Sequence, residues 1–143
     1  MSTFDYTYEE RQRDVNRGLY IPFYIETPVG DADIEVGAEA ADVIEVTIQV
    51  VDPGGDPIED VMSLMVTACS DAAGTTPVAT TGGIAATTGA VIAELVADTS
   101  FQFTTDELGK AVLEVTDTNV ADIFLGFTLP GGKYIVSDPL EFA

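Results

Sequence analysis

Histidine and tryptophan are absent from this sequence, cysteine occurs once, and basic residues number only five. Each gap removes a class of function. Without histidine there is no imidazole base, no imidazole metal ligand and no histidine pH switch. The lone Cys69 builds neither a disulfide framework nor a thiolate zinc site. Five Lys and Arg against 25 Asp and Glu leave a net charge of -20. Nucleic acid and anionic membrane surfaces, which both call for a basic footprint, are therefore repelled. No run reaches the roughly 18 apolar residues needed to span a bilayer. The opening residues, Met1 to Tyr6, lack the basic-then-apolar layout of a secretory leader. The expectation is a chain made in a cytoplasm, with neither nucleic acid nor membrane as a partner.

What is present is apolar substance: 46% of the 143 residues are hydrophobic, enough to build the core of one ordinary domain despite the charge. The basic residues are placed unevenly. Arg11, Arg13 and Arg17 fall within seven residues, and only Lys110 and Lys133 follow. Residues 1–30 carry a net charge of -2 and residues 31–143 one of -18. The chain thus divides into an extended N-terminal arm and linker, residues 1–41, and an acidic body, residues 42–143. The arm is expected to hold a turn or two of helix over 8–16, ended by Gly18, then the extended run Leu19-Tyr-Ile-Pro-Phe-Tyr-Ile25, from which Pro22 excludes a central strand.

The body reads as strands and turns. Val46, Ile48 and Val50 alternate with polar neighbours, a period of two. Met62, Leu64, Val66 and Ala68 repeat the pattern, as do Val91, Ala93 and Leu95, then Ala111, Leu113 and Val115, then Ile123, Leu125, Phe127 and Leu129. Phe101 and Phe103 flank Gln102 in a short strand, and Lys133–Ser137 makes the last clear one. Pro53-Gly-Gly-Asp-Pro57 and Pro130-Gly-Gly132 are turns. The Ala, Thr and Gly of residues 78–90 read as a long loop or weak edge strand. About seven short strands with turns every 8–15 residues predict an all-β chain, an immunoglobulin-like β-sandwich with an N-terminal arm.

Chemistry finds little footing. The acids fall on polar strand faces (Glu45, Glu94, Glu114) or in turns (Asp52, Asp56, Asp106), where alternation points them at water rather than across a cleft. Asp31-Ala-Asp33 and Asp52 through Asp60 put hard oxygen ligands at expected loop positions, but the EF-hand spacing is missing, so no metal site is assigned. No G-x-S-x-G elbow occurs and no phosphate-cradling glycine fingerprint. A Lys-to-Asn cross-link would need Lys110 or Lys133 beside Asn119; a Lys kept wet at a strand entry is the simpler reading. Cys69, on the face opposite Leu64 and Val66, is expected to be packed and unreactive. The chain is read as a non-enzyme without cofactor.

The arm carries the candidate site. Arg forms bidentate pairs with carboxylates and, with Tyr, is enriched at interface centres. Arg11, Arg13, Arg17, Tyr20, Phe23 and Tyr24 are therefore the candidate partner-binding residues, against the plainer reading that the arginines neutralise the body's own acids.

Val46-Thr-Ile-Gln-Val-Val-Asp-Pro-Gly-Gly-Asp-Pro-Ile58 and Thr104-Thr-Asp-Glu-Leu-Gly-Lys-Ala-Val-Leu-Glu-Val-Thr116 resemble the strand–turn opening and the later hairpin of bacterial Ig-like repeats. With Asp122-Ile-Phe-Leu-Gly-Phe-Thr-Leu-Pro-Gly-Gly132, residues 43–143 are similar to Ig-like virion proteins of tailed bacteriophages, many of them head decoration (cement) or head-fibre proteins. The resemblance implies a structural subunit on the capsid surface of a virion. Its partners would be the major capsid protein and neighbouring copies of itself in a homo-oligomer, trimers being common among decoration proteins. The attachment arm is inferred from the residues, not from the resemblance. The alternative is a recognition module of a tail fibre or adhesin, binding a glycan or receptor through the 75–90 loop and an exposed Phe124.

Overall fold

The structure, a computed structural model, describes residues 29–143. The six candidate arm residues, Arg11, Arg13, Arg17, Tyr20, Phe23 and Tyr24, lie outside the described residues. Ten strands are found among the described residues: β1 (Asp31–Val36), β2 (Val43–Val51), β3 (Ser63–Cys69), β4 (Gly83–Thr88), β5 (Ala90–Val96), β6 (Ser100–Thr104), β7 (Lys110–Thr116), β8 (Asp122–Thr128), β9 (Tyr134–Val136) and β10 (Leu140–Glu141). They form two antiparallel sheets. One has four strands in the order β1-β2-β7-β4. The other has six: β10-β8-β3-β6-β5, with β9 also paired to β8.

Alternation decides what lies between the sheets. The inward residues of β2 (Ile44, Val46, Ile48, Val50) and β7 (Ala111, Leu113, Val115) meet those of β3 (Leu64, Val66, Ala68), β6 (Phe101, Phe103) and β8 (Ile123, Leu125, Phe127) in one buried cluster. Phe103 and Phe127, both fully buried, set their rings edge to face with centroids 6.1 Å apart, a geometry that aromatic quadrupoles favour. The chain is an all-β sandwich, as its periodicity predicts.

Five strands pair as in an immunoglobulin constant domain: β3 with β6, β6 with β5, and β7 with β4 stand where strands B–E, E–D and F–C would. The flanking places are filled crosswise. The early strand β2 lies against β7, where strand G would lie, and β8 lies against β3, where strand A would lie. The chain therefore changes sheet after β2 and after β7, where that domain does not, as well as after β3, β4 and β6.

Three elements correct the sequence reading. Residues 31–36, assigned there to the linker, are strand β1, paired with β2 from Asp31↔Val51 to Val36↔Val46. Ala32, Ile34 and Val36 pack against the core while Asp31, Asp33 and Glu35 face out, so the boundary at residue 42 falls inside the sheet. The turn between β1 and β2 centres on Ala41 and Asp42, both at positive φ (54° and 68°), with Ala40 and Val43 exchanging both backbone hydrogen bonds. Such a turn favours Asn-Gly, so Ala-Asp gave no sign of it. Residues 83–88 form the edge strand β4 on β7, one of the two readings of residues 78–90, whereas β10 adds an unexpected two-residue strand to β8. In β5, bulges after Val91 and after Glu94 break the alternation: Val91 stands opposite Phe103 but Ala93 opposite Gln102. The single apolar face expected for Val91, Ala93 and Leu95 does not exist.

Candidate interaction surface

Directly paired residues of antiparallel strands share a face, so the registers assign every outward side chain. On the outside of the four-stranded sheet, β1 contributes Asp31, Asp33 and Glu35, β2 contributes Glu45, Thr47 and Gln49, and β7 contributes Lys110, Val112 and Glu114. Glu45 and Glu114 are directly opposite one another, and Glu35 stands opposite Thr47, one diagonal step from Glu45. Like charges so placed destabilise a sheet. This face is an acidic wall.

The outside of the six-stranded sheet is different. β3 presents Ser63, Met65 and Thr67; β6 presents Ser100, Gln102 and Thr104; β8 presents Phe124, Gly126 and Thr128. β9 adds Tyr134 beside Thr128, and β5 adds Ala93 beside Gln102 and Val96 beside Ser100. The acids at its margin are Asp122, opposite Glu141, and Asp71, whose charge acts on Tyr134. A body with a net charge of -18 thus keeps one broad face uncharged. Met65 and Val96 are exposed there, Phe124 is half-buried, and Thr67 and Gln102 are held by hydrogen bonds to Ser100 (3.0 Å) and Ser63 (2.9 Å). These contacts fix the small polar side chains to the sheet.

Tyr134 crosses this face. Its hydroxyl donates to the Gly74 carbonyl at 2.7 Å and lies 3.9 Å from the Cys69 sulfur. Cys69 points outward, as alternation requires, yet is fully buried beneath that ring. Burial pushes its thiol up, a shift that the Tyr134 hydroxyl partly offsets. Burial is also the main reason that the Tyr134 phenol is pushed up to about 12, followed by its contact with Cys69. The loop beneath is shaped by Asp71. Its carboxylate accepts from the Thr75 hydroxyl and from the Thr75 and Thr76 amides, and these bonds hold it below the usual carboxylate range.

Other candidates resolve into structure. Asp31 and Asp33 lie on a strand, not in a loop. Asp52 turns an oxygen back to the Gly54 and Asp56 amides at 3.0 and 2.9 Å. Lys133 reaches Asp31 (3.5 Å) and the Gly30 carbonyl (3.1 Å), while the Asn119 amide bonds Asp117, so neither is turned toward a Lys–Asn cross-link. A depression beside β1 has Ile34, Val36 and Pro139 in its lining and Glu35, Glu39, Asp138 and Glu141 around it. Those carboxylates do not converge: among the described residues no group of three or more His, Cys, Asp or Glu is placed to hold a metal ion. Phe124, expected to be exposed, is half-buried on the uncharged face, and residues 83–88 of the expected 75–90 loop are strand β4.

Sequence reasoning missed the uncharged face. Its signal is there, in the outward positions of three strands that carry a single acid, Asp122, at one end, but it appears only once β3, β6 and β8 are known to be neighbours. No family model, curated protein or solved structure matches the chain.

Proposed function

We propose that the chain is a structural attachment protein: a decoration subunit on the capsid surface of a tailed bacteriophage, fixed there by its N-terminal arm. In this reading Arg11, Arg13, Arg17, Tyr20, Phe23 and Tyr24 make the contact with the major capsid protein, and the sandwich is the exposed body. The observation that carries the reading is the two-sided charge of the sandwich, an acidic wall on one sheet and an uncharged face on the other. A wall rich in carboxylates keeps copies soluble and turns DNA away. It does no chemistry, because its acids sit on one flat surface and not across a cleft. The arm, nearly neutral and rich in Arg and Tyr, is the part suited to a protein surface, and repetition over a lattice makes modest contacts collectively strong.

The test is removal of residues 1–25. The expected product is a folded β-protein, by circular dichroism, that no longer binds purified capsids. Capsid binding undiminished by the deletion would refute attachment through the arm, and label at the tail tip of the particle instead of over the head would refute the decoration role.

A further inference from the structure

We infer that the uncharged outer face of the six-stranded sheet is the interface between two copies of this chain, packed face to face about a two-fold axis. The inference deepens the structural reading above and rests on it for the choice of partner.

The argument begins with charge. Two copies, each with a net charge of -20, repel wherever their acids approach. Loss of charge at the centre of a patch is the compositional mark of an interface core. A basic partner would be met by acids, and on this sheet the acids, Glu94, Asp122 and Glu141, stand only toward its edges. An uncharged face is best matched by another uncharged face, and a second copy supplies one. Two-fold packing also puts both acidic walls, with Glu35, Glu45 and Glu114, on the outer sides of the pair and so as far apart as the bodies allow.

Geometry agrees. Five strands, β9, β8, β3, β6 and β5, form the face. At about 4.8 Å between strands and about 3.3 Å per residue it measures roughly 20 Å each way. Two such faces bury on the order of 800 Å² in total, below the roughly 1,000 Å² of a stable specific interface and in the range of weak, transient contacts. The pair is therefore expected to be weak, with a Kd on the order of micromolar. At its centre stands Met65, 41% exposed on the central strand β3, a flexible side chain suited to filling gaps between flat surfaces. Gln102 lies directly opposite it on one side and Thr128 on the other. Tyr134 and Val96 stand toward the margins.

The experiment is sedimentation of the full-length chain from low micromolar to about 1 mM, without capsids. The expected mass rises with concentration from 15.1 kDa to twice that. Added salt should tighten the pair, because screening weakens repulsion between the two acidic bodies. Met65→Glu and Gln102→Glu, both at solvent-accessible positions, should each weaken association by about tenfold or more. Thr47→Glu, on the acidic wall, should leave it unchanged apart from the added repulsion. A wild-type chain that stays at 15.1 kDa throughout would overturn the inference, as would pairing that survives both face variants or weakens with salt. Pairing lost on deletion of residues 1–25 but kept in Met65→Glu would assign the contact to the arm and equally overturn it. None of these outcomes bears on whether the arm binds capsids, which the deletion tests separately.

Discussion

The ring of Tyr134 lies across Gly126, so closely that a Cβ on residue 126 would fall on the phenol oxygen and ring carbons. Gly126 is the gap in β8 through which the Tyr134 hydroxyl reaches Cys69 and the Gly74 carbonyl. The contact ties the β3–β4 loop to the β8–β9 hairpin and closes one side of the uncharged face. Gly126→Ala is expected to displace the ring and cost about 1–3 kcal/mol, read as a lower urea midpoint. Tyr134→Phe keeps the ring and loses only the hydrogen bond, so its cost should be about 1 kcal/mol.

Tyr134 also sets a pH limit. Its phenol is pushed up to about 12 in the folded chain, against about 10 in an unfolded one. The folded state therefore holds this proton more tightly. The stability it contributes is fully present below about pH 10 and is lost as pH rises through about 12. Unfolding midpoints measured across that window should fall more steeply for the wild type than for Tyr134→Phe, and phenolate absorbance should show one late-titrating tyrosine that the variant lacks.

Cys69 is fully buried and its thiol is pushed up by burial, so the reactive thiolate is scarce in the native state. A disulfide reagent such as dithiobisnitrobenzoate is expected to label it only as fast as the protein opens. The rate should rise in Gly126→Ala and reach that of a free thiol in urea.

Glu45 and Glu114 face each other across β2 and β7, a repulsive pair that the fold tolerates. Glu114→Gln should raise stability by about 0.2–1 kcal/mol. The gain should shrink as salt screens the pair, which thermal melts at low and high ionic strength would show.

The turn joining β1 to β2 holds Ala41 and Asp42 at positive φ, where side chains with a Cβ are strained. Replacing Ala41 with Asn and Asp42 with Gly matches the residues to the turn and should add about 1 kcal/mol. Unchanged stability would mean that this turn does not hold β1 in register.

The sandwich was legible because buried strands carry their own record. A side chain facing the core must be apolar and its neighbours need not be, so Val46, Ile48 and Val50, or Ile123, Leu125 and Phe127, declare strands at a period of two. Charge and the missing histidine likewise excluded whole chemistries from composition alone. Pairing is different, because residues that share a face come from segments far apart in the chain. Nothing local marks Met65 as the neighbour of both Gln102 and Thr128, Glu45 as the opposite of Glu114, or Cys69 as covered by Tyr134 from 65 residues away. β1 was hidden by its outward acids and an unusual turn, and it became a strand only because β2 offered it an edge. Sequence determined which residues are buried and how much charge the surface carries; the order of strands in space determined that the charge would gather on one side.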